Sequence, residues 1–126
     1  MKKLFISCPM KGRTEAAIRE SMEKMHAIAE IIFNQKLEVI PTYISDNPPE
    51  DVNQRIWYLG ESIKRMSEAD YFIGIEYSVA FRGCNIEADV AKAYGIRMYL
   101  VNWRAFMPDA YQFECDFIDG GMTDEE

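Results

Sequence analysis

Tyr71-Phe72-Ile73-Gly74-Ile75, entered through Ser67-Glu68-Ala69-Asp70, is a stretch of five residues without a charge. A strand with one wet face alternates apolar and polar residues, and this one does not. It therefore reads as the central strand of a sheet covered on both faces, which is the setting of parallel sheets. Upstream, Ile56, Leu59, Ile63 and Met66 recur at helical spacing and predict a helix over about 52–67. Asp46-Asn47-Pro48-Pro49 before it marks a surface loop, and the β-branched run Leu37 to Pro41 predicts a strand. Further back, Ile18, Met22, Met25, Ala29 and Ile32 draw one apolar stripe on a helix over 15–34, with Thr14 as its cap. Lys3 to Ile6 is a short, buried first strand. Downstream, a third helix starts near Cys84 or Asn85, carries Ile86, Val90 and Ala93 inward, and ends at Gly95; Arg97 to Val101 is the fourth strand. A fifth strand has only a weak signal.

Strands that alternate with helices through short loops predict an α/β three-layer sandwich, an open parallel sheet with right-handed crossovers. The chain has 126 residues, the size of one domain, since domains run to roughly 100–200 residues. That domain is expected to span residues 1–119, followed by an acidic tail over 120–126. Hydrophobic residues make up 48% and charged residues 28%, which excludes intrinsic disorder. A net charge of −7 argues against gripping a nucleic-acid polymer, whose affinity comes from clustered Lys and Arg. It leaves room for one small anion held by a local pair of bases. No apolar run is long enough to span a bilayer or to form a signal-peptide core, so no membrane contact and a cytoplasmic location are expected. Cys8, Cys84 and Cys115 lack the pairing and spacing of a disulfide framework or a zinc site. The lone His26 is a packing residue, and the acids Asp116 to Glu126 lack the spacing of a calcium loop.

In an open parallel sheet, ligands bind beyond the carboxyl ends of the strands, where the winding reverses. Three loops qualify, at 7–13, 75–85 and 102–107. In the first, Ser7-Cys8-Pro9-Met10-Lys11-Gly12-Arg13 sets a hydroxyl, an ammonium and a guanidinium against a helix N-terminus. This suits an anion cradle, and equally a plain turn with two solvated bases; it is not a P-loop. In the second, Arg82-Gly83-Cys84-Asn85-Ile86-Glu87 brings a carboxylate into the first turn of the third helix, where acids commonly serve the helix dipole alone.

Taken together, Leu4-Phe5-Ile6-Ser7-Cys8-Pro9-Met10, the Ser67-Glu68-Ala69-Asp70 step, and Arg82-Gly83-Cys84-Asn85-Ile86-Glu87 continuing through Ala91 to Tyr94-Gly95-Ile96 resemble the nucleoside 2-deoxyribosyltransferase superfamily. The chain is most similar to a small, often phage-borne branch of it, over 3–101. The resemblance implies a flavodoxin-like strand order, 2-1-3-4-5, with four to five strands, and no cofactor. It implies that Glu87 is the catalytic carboxylate, attacking the anomeric carbon of a nucleoside or supporting attack by water. It implies further that Ser7, Pro9, Met10, Lys11 and Arg13, with Arg82 and Gly83, surround a substrate whose 5′-phosphate the bases hold. Two positions depart from the family pattern. Counting eight residues back from Asp70 gives Ser62 where relatives carry an aspartate, and six back from Glu87 gives Phe81 where transferases carry another. Phe81 can stack on a base; Asp70 can orient a ligand or cap locally.

These residues set an N-ribohydrolase or deoxyribosyltransferase-like enzyme against a nucleotide-binding protein that has lost its general acid, with an interaction module as a third reading. Relatives form dimers and larger rings, so a homodimer or larger homo-oligomer is expected.

Overall fold

The computed structural model describes residues 1–42 and 46–120. Its elements are β1 (Lys2–Ile6), α1 (Glu15–Ile32), β2 (Leu37–Val39), α2 (Gln54–Met66), β3 (Tyr71–Ile75), α3 (Arg82–Ala93), β4 (Arg97–Val101), a single 3₁₀ turn (Trp103–Ala105) and α4 (Pro108–Gly120). The strands form one all-parallel sheet in the order β2-β1-β3-β4. This is a flavodoxin-like sandwich without a fifth strand among the described residues.

Side chains alternate across the strands, so the sheet carries two cores. Leu4, Ile6, Ile73 and Ile75 face Met25 and Ala29 of α1 together with Met107 and Ala110 at the start of α4. Phe5 and Phe72 point the other way, stack with ring centroids 5.7 Å apart, and meet Met66 of α2 and Ala91 of α3. The apolar run of β3 has its explanation here: Phe72, Ile73 and Ile75 are buried on opposite sides of the same strand.

The helix boundaries follow local chemistry. Thr14 accepts a hydrogen bond from the Ala17 amide and starts α1, and Asn53 does the same for α2 through the Ile56 amide, two residues after the start expected at Val52. α1 stops at Ile32 rather than Asn34, where the backbone turns into positive φ at Asn34 itself. Gly95, with φ of +74°, takes the chain out of α3 as expected. β2 ends at Val39 rather than Pro41; the Ile40 amide still reaches the Leu4 carbonyl at 2.9 Å, but Pro41 has no donor to continue the ladder.

Two expectations need correction. α3 begins at Arg82, not at Cys84 or Asn85. Beyond β4 the described residues form the 3₁₀ turn and α4 and no further strand, in a stretch where a loop over 102–107 and a weakly signalled fifth strand were expected. Asp116 and Asp119 are exposed on that helix. Of the tail expected from 120, only Gly120 lies within the described residues, at the end of α4. No described helix is long and apolar enough to cross a membrane.

Candidate functional site

The site lies where the winding of the sheet reverses, between the carboxyl ends of β1 and β3. The Ser7 amide donates to the Ile73 carbonyl at 2.8 Å, which ties the loop after β1 to the central strand. Above this point a groove of about 1360 Å³ opens between α1 and α2, walled by Ile18 and Met22 on one side and Ile56 and Leu59 on the other. Glu87 and Ser62 meet at its polar end.

Because α3 starts at Arg82, Glu87 stands in the second turn of the helix rather than the first. The dipole explanation for an acid weakens there, since that field acts mainly within the terminal turn. The carboxylate accepts a hydrogen bond from the Ser7 hydroxyl at 2.6 Å through one oxygen and from the Ser62 hydroxyl at 2.5 Å through the other. Burial pushes its pKa above the ordinary 4.5, and the two hydroxyls pull against that rise without cancelling it. The loop after β1, α2 and α3 thus converge on one partly desolvated carboxyl group.

Phe81 occupies the N-cap position of α3 and supplies no side-chain cap. The loop before it is held by Asn85, whose amide donates to the Ser78 carbonyl at 2.8 Å and whose oxygen accepts from the Ser78 amide at 3.2 Å. This clamp fixes the approach to Arg82 and Gly83. A side chain at Gly83 would meet nothing within 4 Å, so its backbone presents an unobstructed surface to the groove.

Of the residues expected at the site, Pro9, Met10, Lys11, Phe81, Arg82, Gly83 and Glu87 line this groove, and Ser7 joins them through its bond to Glu87. Phe81 is 4% exposed and packs edge-on against Trp103 and face-on against Phe113, so its ring belongs to the core wall. Two residues stand elsewhere. The Arg13 side chain, 1% exposed, donates to Asp109 at 2.7 and 3.0 Å, to Ser21 at 2.7 Å and to the Pro9 carbonyl at 2.9 Å. It is a clamp between the β1 loop and α4, outside the groove. Asp70 precedes β3, at the opposite end of the sheet, and accepts from the Lys3 amide at 2.8 Å.

Ser62 is the partner that spacing alone marked only as a departure from a family pattern. It sits one turn from Leu59 beside the apolar stripe of α2, and a polar residue on that border was the available signal. Cys8 and Cys84 also line the groove; burial pushes the Cys8 thiol up to about 11 and the Cys84 thiol higher still, so both are inert thiols. His26 lies on the α1 wall, with Nε2 2.9 Å from the Leu37 carbonyl and 3.2 Å from Glu30. Among the described residues no cluster of His, Cys, Asp and Glu has the geometry to hold a metal ion.

Comparison with known protein families, with curated proteins and with solved structures finds no match for the chain. The functional reading therefore rests on the chemistry of this groove and on the sequence motifs that led to it.

Proposed function

We propose that the protein cleaves or exchanges the N-glycosidic bond of a nucleoside or nucleoside 5′-monophosphate, with Glu87 as nucleophile. The observation that carries this reading is the Glu87 carboxylate, seated between the Ser7 and Ser62 hydroxyls at the polar end of a groove. A carboxylate there stabilises an oxocarbenium-like centre and closes on it: the Glu87 oxygen bonds to the anomeric carbon, the carbon–nitrogen bond breaks, and its electron pair leaves with the base, which takes up a proton from solvent. Water then opens the glycosyl ester, or a second base does so in exchange. Lys11 and Arg82 at the groove suit a 5′-phosphate, and the limited basic surface suits a monomeric nucleotide over a polymer.

One observation favours a second reading, a nucleotide-binding protein without turnover: the groups that donate to Glu87 are hydroxyls, and neither is acidic enough to supply the proton that a departing base takes up. A panel of ribo- and deoxynucleosides and their 5′-monophosphates separates the two. The enzyme releases free base, seen by chromatography, and loses that release on Glu87→Gln. The binder shows a ligand-induced rise in melting temperature with no base released.

A further inference from the structure

β4 ends the sheet, and among the described residues no strand pairs with its outer side. The direction of its backbone groups follows from one bond. The Val101 carbonyl accepts from the Glu76 amide at 3.0 Å, so Val101 turns its backbone towards β3. Backbone groups alternate along a strand, so Arg97 and Tyr99 also face β3, while the N–H and C=O of Met98 and Leu100 point outwards. The side chains beside these groups are apolar on both faces of the sheet. Met98 and Leu100 lie on the side of Phe72 and Gly74, Tyr99 and Val101 on the side of Ile73 and Ile75. Tyr99 is 38% exposed and Leu100 37%. The devices that keep an edge strand from pairing are missing: the five-residue register has no bulge, the strand has no proline, and its one charge, Arg97, stands at the first position.

We propose that this edge is a homodimer interface in which β4 pairs antiparallel with β4 of a second copy, about a two-fold axis through Tyr99. The register follows from which groups are already used. With the axis at Tyr99, Met98 lies opposite the partner subunit's Leu100 and Leu100 opposite the partner subunit's Met98. All four outward groups of each strand then bond, and the two Tyr99 side chains meet as the closely spaced pair between them. Moving the axis to Met98 sets Leu100 against Ile96, whose amide already donates to the Ala91 carbonyl at 3.0 Å. Moving it to Leu100 sets Met98 against Asn102, whose carbonyl already accepts from the Ala105 amide at 3.3 Å. The centred register also puts each Arg97 opposite a valine, so the pairing joins two chains of net charge −7 without opposing like charges. The strand is its own complement, which is why the occupant is a second copy and not an unrelated extended peptide. The eight-stranded sheet that results leaves only the three-residue β2 strands at its edges.

Light scattering after size exclusion, followed through a dilution series, tests this on the full chain. The expected mass is twice the 14.6 kDa of one chain. Tyr99→Lys is expected to weaken the dimer about tenfold or more while leaving the circular dichroism unchanged. In a Cys115→Ser background, Tyr99→Cys cross-links across the axis on mild oxidation, because directly opposed Cα atoms about 4.5 Å apart fit a disulfide. Leu100→Cys does not, since it faces Met98. A monomer at every concentration, a larger open-ended assembly, or a dimer in which Tyr99→Cys fails to cross-link would overturn the proposal.

Discussion

At the scale of single residues, Glu87 combines an unfavourable environment with two favourable partners. The pKa of its carboxyl is raised above the ordinary 4.5 by burial, so between that pH and the folded pKa the folded chain holds a proton the unfolded chain has released. Stability contributed by this group is therefore present at low pH and falls as pH rises through the window towards the folded pKa. Glutamine does not titrate. The melting temperature of Glu87→Gln minus that of the native chain should thus increase from about pH 4 to about pH 7; a difference that shrinks over this range would contradict the burial argument. Ser62→Ala removes one of the two bonds that favour the ionised form. It should move the acid limb of the pH–rate profile for base release to higher pH, with activity regained as pH rises. Arg13 needs no ligand to explain it. Replacing it with alanine strands the Ser21 hydroxyl and the Pro9 carbonyl and should cost about 2–3 kcal/mol in urea denaturation, seen as a lower midpoint at unchanged slope.

At the scale of elements, the central strand was legible because its apolar character has one physical cause, burial on both faces. That packing leaves little space at Gly74, where a Cβ would stand 2.6 Å from the Phe72 ring and 3.3 Å from Leu100. Gly74→Ala should destabilise by about 1–3 kcal/mol in the same denaturation measurement. α1 and α2 were legible from their stripes and their Thr and Asn caps. The start of α3 was not, because Phe81 is no cap and the work falls to Asn85 reaching back to Ser78. α4 went unread although Pro108 opens it, Asp109 follows in its first turn, and Ala110, Phe113 and Phe117 share one face. The acids interleaved with those aromatics suggested a solvated tail. Glu114 in particular is buried, paired with Arg104 at 2.6 Å, so charge was a poor guide to exposure here. The same limit applies at the site: spacing along the chain brought Ser7, Lys11 and Glu87 to one end of the sheet. It could not show that Arg13 turns under the loop to Asp109 or that Ser62 turns towards Glu87.

At the scale of the whole molecule, a body of net charge −7 carries Lys11 and Arg82 at the rim of its groove. Such an arrangement favours a single phosphate over a polyanion. If Lys11 holds a 5′-phosphate, Lys11→Ala should weaken the thermal shift given by nucleoside 5′-monophosphates and leave that of the matching nucleosides unchanged. An equal loss for both would remove Lys11 from phosphate binding.

The central claim is that Glu87 bonds to the anomeric carbon, and the intact mass of the protein tests it most directly. The native chain is incubated with a nucleoside 5′-monophosphate whose sugar carries a 2′-fluorine, which slows hydrolysis of a glycosyl ester, and the adduct is mapped by peptide. The account predicts release of free base together with one added glycosyl mass on the peptide containing Glu87, with both lost in Glu87→Gln. Base release that survives Glu87→Gln, or an adduct on any other residue, would contradict it.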